Sequence, residues 1–279
     1  LQRIIEHRPI QARPLTRIYR VSRFVRRHRL LSAAMASIVL VLAAASIVSF
    51  NYALGEQRAR TLADQRAAEA AAVNAFLEQM LSSADPNLSA GRKLTVDEVV
   101  DQAERDLPQL DAQPAVQRTV ASTLARTRRA LGEFDAALRL NQRALALGEA
   151  HGAAAMQQAE LLHQQASVFA DLGQFDKAVE ALDQARTTAG DADISTRLSF
   201  DLTAARIDDE AGRAEDAEQK YRAILQAASR IDAATLRSIP SLRSTLETTR
   251  SNLSGVLRDR GALDEAEQLT RAVLADRME

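Results

Sequence analysis

The chain has 279 residues, of which 46% are hydrophobic but only 4% aromatic, so we expect cores built from Ala, Leu and Val. Long stretches rich in Ala, Leu, Glu, Arg and Gln predict an all-α protein. Because there is no cysteine, disulfides, thiolate nucleophiles and cysteine-based metal sites are excluded. The formal net charge of −1 is unevenly distributed: residues 1–30 hold nine Arg and one acid, Glu6, whereas 27 basic and 36 acidic residues follow. The chain begins with Leu1 rather than Met, and we interpret it as part of a longer protein.

The segment 31–52 is predicted to be a single transmembrane helix. Leu31–Phe50 contains no charged residue and supplies the roughly 20 apolar residues that a bilayer core requires. The positive-inside rule then places the basic juxtamembrane segment 1–30 in the cytoplasm and residues 55–279 outside it, in the periplasm or extracytoplasmic space of a cell inner membrane. A cleaved signal peptide is disfavoured by the basic residues in front, and a buried core helix by length and flanking charge. The arginines are interpreted as contacting anionic lipid rather than nucleic acid.

Residues 53–93 are predicted to form a helical stalk and a loop. Within them, residues 55–82 form a continuous helix in our interpretation, with a narrow apolar stripe. The stripe consists of Leu62, Val73, Phe76, Leu77, Met80 and Leu81. Because it is too short for a coiled coil, docking on the next domain is favoured over a homodimer. Thr95 and Glu98 then form a capping-box pattern at the start of a helix predicted over 96–108.

From residue 114 onward the sequence contains four copies of one pattern. Each copy has a glycine, an apolar residue two positions later and a small residue three beyond that. The copies are Gly132/Phe134/Ala137, Gly173/Phe175/Ala178, Gly212/Ala214/Ala217 and Gly261/Leu263/Ala266. Glycine permits a tight turn between two antiparallel helices, and alanine lets those helices approach closely. Pro240 interrupts the longest interval and predicts a loop or short extra turn within 231–244.

This pattern resembles the tetratricopeptide repeat. A small residue stands seven positions before each glycine, where that family places one: Ala125, Ala166, Ala205 and Ser254. The sequence departs from the family at Arg128 and Asp208, where an aromatic residue is preferred, and at Asn141 and Thr270, where a large apolar residue is preferred. The resemblance covers about residues 114–279. It implies a helical repeat domain at 94–279, an α-solenoid of antiparallel helix hairpins that binds another protein.

The resemblance also implies a peptide-binding groove along the first helix of each hairpin. Its positions correspond to Ser122, Arg126, Arg129, His163, Ser167, Leu202, Arg206, Asp209, Ser251 and Arg258. Four of these are Arg in an otherwise acidic domain. We therefore hypothesise that Arg126, Arg129, Arg206 and Arg258 clamp the carboxylates of an extended peptide. The alternative is that these arginines pair with neighbouring acids on a solvated face.

Four further segments resemble the C-terminal half of a bacterial serine/threonine protein kinase with one membrane span and an outer repeat array. They are Ile4–Pro14, Tyr19–Arg29, Phe76–Pro86 and Leu94–Leu107. The chain has no Gly-rich phosphate loop, His-Arg-Asp or Asp-Phe-Gly motif, so it is predicted to be non-catalytic. Signal transduction through a sensor or docking module is the expected role. The alternatives are a stand-alone membrane-tethered scaffold and the outer domain of a membrane-bound transcription regulator.

No catalytic residue, cofactor or metal site is predicted. The four histidines, His7, His28, His151 and His163, lack a partner at a metal-ligand spacing. The acidic pair Asp208/Asp209 is expected on a solvent-facing helix surface. The sequence therefore predicts an interaction module with a protein or peptide ligand and no nucleic-acid partner.

Overall fold

The computed structural model describes residues 56, 60, 63, 67, 68, 70–76, 78 and 95–276. The chain divides into two compact units, Leu1–Ala67 and Ala68–Glu279. In the first unit the described residues are helical and exposed, and Arg60 pairs with Glu56 at 2.5 Å. The repeats lie in the second unit.

Residues 95–276 form helices and turns, and this range contains no strand. The helices are α1 (Val96–Asp106), a 3₁₀ helix (Leu107–Leu110), α2 (Pro114–Ala130), α3 (Phe134–His151), α4 (Ala155–Asp171), α5 (Phe175–Ala189), α6 (Ile194–Glu210), α7 (Ala214–Ala228), α8 (Ala233–Ser238), α9 (Pro240–Asp259) and α10 (Leu263–Asp276). Four hairpins result, α2–α3, α4–α5, α6–α7 and α9–α10, and each packs on the next. The prediction of an all-α array of helix hairpins is confirmed.

Each hairpin turn closes through the same pair of backbone hydrogen bonds. At the α2–α3 turn, the Gly132 N–H donates to the Arg129 carbonyl (3.0 Å), and the Glu133 N–H donates to the Arg128 carbonyl (2.9 Å). This arrangement requires the glycine to adopt a positive φ, which residues with a side chain rarely do. The same bonds and the same sign of φ recur at Gly173, Gly212 and Gly261. The predicted turn role of the four glycines is confirmed.

Two other local predictions concern helix ends. The Thr95 Oγ1 accepts from the Glu98 N–H (3.2 Å) and the Glu98 Oε2 accepts from the Thr95 N–H (2.9 Å), so the capping box is present. The short extra turn predicted within 231–244 is α8. Pro240 begins α9 rather than breaking a helix, because a residue in the first turn needs no N–H for the helix ladder.

Small residues bring the helices of each hairpin together. The alanines at the small position of the repeat are buried, at 0% exposure for Ala137, Ala178 and Ala217 and 6% for Ala266. Upstream of α1, Phe76 is also buried and joins the core cluster of α1, α2 and α3, with Val73 packed beside it. The predicted docking of the stalk helix on the repeats is confirmed for these two residues.

Arg128 stands where the family pattern has an aromatic residue, and it forms a buried ion network instead. Its side chain is 7% exposed and donates to Asp101 (2.5 Å), Glu104 (2.6 Å) and Glu133 (2.5 Å). Burial alone would lower the pKa of Arg128, but hydrogen bonds to the three carboxylates outweigh it and raise that pKa. The network joins the end of α2 to α1 and to the α2–α3 turn.

Two further departures from the pattern also make polar contacts. The Asp208 carboxylate binds Arg213 (2.7 Å) and Lys220, and thereby joins α6 to α7. Burial would raise the pKa of Asp208, but the hydrogen bonds from Lys220 and Arg213 lower it. The expectation that Asp208 lies on a solvated surface is wrong, since its side chain is 8% exposed. Thr270 shares a hydrogen bond of 2.8 Å with Ser254 across the last hairpin.

The predicted transmembrane segment 31–52 lies outside the described residues, as do the basic segment 1–30 and most of the stalk and loop at 53–93. Among the helices that the structure describes, none combines the length and the apolar character that a membrane crossing requires. The prediction of a single-pass inner-membrane protein with an extracytoplasmic repeat domain is corrected on this finding.

Candidate peptide-binding groove

The first helices of the four hairpins, α2, α4, α6 and α9, lie side by side, and we call the surface formed by their facing side chains the inner-helix face. Hydrogen bonds cross this face from one hairpin to the next. They include Arg118 Nη2 to Gln157 Oε1 (3.1 Å), Ser122 Oγ to Gln164 Oε1 (3.0 Å) and Ser195 Oγ to Ser241 Oγ (2.9 Å). The inner-helix face is therefore lined by polar groups held in register by helix stacking.

The predicted groove residues all lie on these helices. Ser122, Arg126 and Arg129 are on α2, His163 and Ser167 on α4, Leu202, Arg206 and Asp209 on α6, and Ser251 and Arg258 on α9. The structure brings together Arg126, Arg129, His163 and Ser167, which line one cavity of about 160 Å³. Ser251 and Arg258 are exposed and do not line this cavity.

Two of the predicted clamp arginines are bridged by one carboxylate. Asp171, the last residue of α4, accepts from Arg129 on α2 and from Arg206 on α6, and the Nη2 of each arginine lies 3.2 Å from its Oδ1. Arg206 also donates to Glu210 (2.9 Å). The Asp171 side chain is 15% exposed, so the bridge is partly shielded from water. Arg129 and Arg206 are therefore paired with neighbouring acids, which is the alternative to the clamp hypothesis.

Arg126 differs from these two arginines. It is exposed and makes no ion pair with any residue that the structure describes. It lines the 160 Å³ cavity and also two neighbouring cavities, of about 280 Å³ towards Gln157 and about 420 Å³ towards Asp171. Its guanidinium group is therefore available to a ligand at the junction of all three cavities. Arg258 is similarly exposed but lies 3.7 Å from the carboxylate of Asp259.

His163 is a neutral hydrogen-bonding group on the inner-helix face. Its Nε2 lies 2.6 Å from the Thr203 Oγ1 on α6, and its ring meets the Phe200 ring edge-on at 4.9 Å. Burial lowers the pKa of His163 to about 4, and the nearby positive charges of Arg206 and Arg129 lower it further. At neutral pH this histidine therefore offers a hydrogen bond and no charge.

The α6–α9 end of the face is acidic. Burial raises the pKa of Asp209, and the negative charges of Glu210 and Asp259 add to the effect, while a hydrogen bond with Tyr221 opposes it. No cation is paired with Asp209 among the described residues. Glu210 pairs with Arg206, and Asp259 lies beside Arg258. The inner-helix face thus carries an available cation, Arg126, at α2 and a carboxylate without a paired cation, Asp209, at α6.

The sequence analysis missed Asp171, Gln164 and Asn141. A signal for Asp171 existed, because an acid stands two positions before the glycine in three of the four repeats, at Asp171, Glu210 and Asp259. Gln164 and Asn141 line the 160 Å³ cavity, but no spacing rule distinguishes them from other polar residues on the same helices.

This arrangement is suited to recognition. It offers a guanidinium group, neutral donors and acceptors, and cavities the size of side chains, all on rigid helices. In the part of the chain that the structure describes, no group of three His, Asp or Glu side chains is placed to hold a metal ion.

Comparison with known proteins agrees with the fold. The family model for the tetratricopeptide repeat matches residues 117–189, which extend from α2 to the end of α5. No curated protein matches the chain. The family model is that of a helical repeat, in agreement with the hairpins that these residues form.

Solved structures of similar fold come from kinesin light chains. A variant of the Podosopora anserina kinesin light chain with nearly identical TPR-like repeats has a TM-score of 0.52 and 19% identity, and the match covers 73% of this chain and 93% of that one. The unsubstituted Podosopora anserina protein has a TM-score of 0.50 and 18% identity, with the same coverage. BtubC from P. vanneervenii has a TM-score of 0.49 and 18% identity, covering 75% of this chain and 89% of that one. At these identities the similarity to the two Podosopora anserina structures establishes the fold alone: a helical repeat of the tetratricopeptide type.

Proposed function

We propose that this repeat array is a protein–protein interaction module whose inner-helix face binds an extended segment of a partner protein. The observation that carries the proposal is Arg126, an exposed arginine without an ion pair among the described residues, placed where three cavities meet. An exposed guanidinium group on a rigid helix is well suited to a carboxylate of the partner, because it donates two parallel hydrogen bonds.

An extended ligand fits the face better than a compact one. The polar groups follow one another across successive first helices, so a strand-like segment can contact several helices in turn. The cavities beside Arg126 lie along the same α2–α4 boundary and can take successive side chains. Recognition would then combine one charge-assisted contact with several neutral hydrogen bonds.

The hypothesis that four arginines clamp the peptide is revised accordingly. In our proposal Arg126 contacts the ligand directly, while Arg129 and Arg206 shape the groove through their shared bond to Asp171. Arg258, 69% exposed in its side chain, is a secondary contact for ligands long enough to reach α9.

The test is affinity capture from a cell extract with the full chain, followed by mass spectrometry. The variant is Arg126→Glu. Its matched control is Arg139→Glu on α3, another exposed arginine without an ion pair in the described region. We expect one set of proteins to be retained by the wild type and by the control, and lost with Arg126→Glu. Equal retention by all three chains would overturn the assignment of the groove.

We also propose that the array is the sensor or docking module of a polypeptide that also contains a serine/threonine kinase domain. The support is the sequence resemblance of Ile4–Pro14, Tyr19–Arg29, Phe76–Pro86 and Leu94–Leu107. Immunoprecipitation of the native protein and peptide mapping test it. We expect peptides that contain kinase motifs, and a native protein with a mass above 30.4 kDa. Peptides of a winged-helix domain would instead favour the transcription regulator, and a native mass of 30.4 kDa the stand-alone scaffold.

A further inference from the structure

A cavity of about 890 Å³ lies between α3, α4 and α5, and none of its lining residues borders the three cavities beside Arg126. We call it the outer cavity, because its walls are α3 and α5, the second helices of the first two hairpins. The wall at the end of α3 is low, since Gly148, Gly152 and Ala153 carry little or no side chain. A volume of this size is within the range of ligand-binding clefts.

The outer cavity has an apolar part that water reaches. Val179 on α5 is 43% exposed, and Leu162 on α4 is half-buried in the same cavity. Six residues after its own hairpin glycine, at the position of Val179, α7 has Glu218 instead. Glu218 pairs with Arg222 and Arg260. An apolar side chain is therefore exposed on α5 where α7 carries a charge that is already paired.

The rest of the outer cavity is acidic. Among the described residues, four carboxylates line it and no Lys or Arg does. Glu149 lies on α3, while Asp176, Glu180 and Asp183 lie on one face of α5, at spacings of four and three residues. Asp183 is 3.9 Å from Arg186, which lies outside the cavity, and the other three carboxylates have no paired cation in the described region. The cavity therefore attracts cations.

Elsewhere in the array, a cation bridges the gap between two second helices. Arg222 on α7 donates to both carboxylate oxygens of Glu265 on α10, at 2.6 and 2.8 Å. On α5, the position of Arg222, ten residues after the hairpin glycine, is occupied by Asp183. Both walls of the outer cavity thus carry carboxylates, whose mutual repulsion a cation between them would relieve. The described residues do not supply that cation, so a partner has to.

We propose that the outer cavity binds an extended, basic segment of a partner protein that has an apolar side chain between two basic ones. The apolar side chain packs on Val179, and the basic groups pair with Asp176 and Asp183 on either side of it. Along α5 these two acids lie about 4.5 and 6 Å from Val179. An extended segment places alternate side chains on one face about 7 Å apart, so the order basic, any, apolar, any, basic matches this row. The surface and the charge differ from those of the inner-helix face.

The dimensions favour an extended segment over a helix. The α5 residues that line the cavity lie between Asp176 and Thr188, a distance of about 18 Å. A helix of this length and about 10 Å in diameter occupies roughly 1,400 Å³, so it would lie largely outside a cavity of 890 Å³. An extended segment of about five residues spans the same distance and is thinner.

The test is isothermal titration calorimetry of the full chain with the peptide acetyl-Arg-Ala-Leu-Ala-Arg-amide at low ionic strength. One comparison peptide has citrulline for both arginines, which removes the charge and keeps the shape, and another has serine for leucine. The variant is Glu180→Gln/Asp183→Asn. Its matched control, Asp135→Asn/Asp216→Asn, removes two exposed carboxylates outside the cavity that have no ion pair in the described region.

The expected changes follow from the size of exposed ion pairs, each of which contributes roughly threefold to affinity. The double variant in the cavity should therefore bind the arginine peptide about ten times more weakly, and the control variant should bind it like the wild type. The citrulline peptide should be weakened by a similar factor. Val179→Ser should weaken the leucine peptide and leave the serine peptide unchanged.

Equal affinities of the arginine and citrulline peptides would overturn the proposal. So would equal losses in the two double variants, which would indicate general attraction to an acidic protein, or a leucine peptide insensitive to Val179→Ser. Tighter binding of a helical peptide with the same three side chains on one face would overturn the extended conformation. Arg126→Glu should leave peptide binding unchanged, so this proposal and that of the inner-helix face fail separately.

Discussion

Replacing Arg128 by methionine tests whether the buried ion network stabilises the first hairpin. Methionine keeps the aliphatic packing and removes the bonds to Glu104 and Glu133, whose side chains are 28% and 41% exposed. Because water can rehydrate these carboxylates, each lost bond should cost about 1 kcal/mol, less than a fully buried charged bond. Asp101 is half exposed, and we leave it out of the sum because water screens it. The expected loss is about 2 kcal/mol, which lowers Tm by about 4–8 °C in a chain of this size.

Thermal unfolding followed by circular dichroism measures this difference. The exposed Arg139, replaced by methionine, is the control and should change stability by less than about 0.5 kcal/mol. The Arg128 hydrogen bond lowers the folded-state pKa of Asp101 below its unfolded value. That contribution is complete above the unfolded pKa and is lost as the pH falls through the folded one, so the stability difference between the two chains should be smaller below about pH 4 than at pH 7. An Arg128→Met chain as stable as the wild type at pH 7 would refute the argument, since desolvation would then cancel the ion pairs.

Three further outcomes are expected. Gly173→Ala should destabilise by roughly 1–2 kcal/mol, because φ is +69° there, whereas Gly255→Ala within α9 should stabilise by about 0.5–1 kcal/mol; chemical denaturation compares the two. His163 has a pKa of about 4 in the folded chain and about 6.5 unfolded, so stability should fall as the pH drops from about 6.5 to about 4, and His163→Gln should flatten that part of the Tm–pH curve. Asn141→Leu should leave Tm unchanged or raise it, because it removes a buried acceptor without a donor; a large fall in Tm would contradict this.

The parts of the fold that the sequence predicted correctly depend on local rules. Each hairpin has a glycine with a positive φ at its turn and an alanine that is small enough for the two helices to pack closely. The spacing between these two residues can therefore be recognised in a single sequence. The capping box of Thr95 and Glu98 is local for the same reason. Contacts between residues one helical turn apart can be predicted without knowing the rest of the fold.

What sequence reasoning missed depends on contacts between hairpins. Asp171 binds Arg129 and Arg206, which lie 42 and 35 positions away, so the repeat pattern marks the acid but does not show which arginines it binds. Asp208 was assigned to a solvated surface because its neighbours are charged, but Lys220 on the next helix covers it. Partners on neighbouring helices decide whether a charged residue of the inner-helix face is free or bound.

The uneven charge of the inner-helix face has a consequence for the direction of a bound segment. Arg129 and Arg206 are paired with Asp171 and Glu210, so the available cation of this part of the array is Arg126 on α2. At the other end, burial raises the pKa of Asp209, and the charges of Glu210 and Asp259 raise it further. A segment lying along the face meets the guanidinium group of Arg126 on α2 and, on α6, the carboxylate of Asp209, which has no paired cation among the described residues. Charge complementarity of this kind selects orientation more than it adds affinity. An acidic residue of the ligand would therefore lie over Arg126 on α2 and a basic one over Asp209 on α6, and the reversed orientation would bring like charges together at both positions.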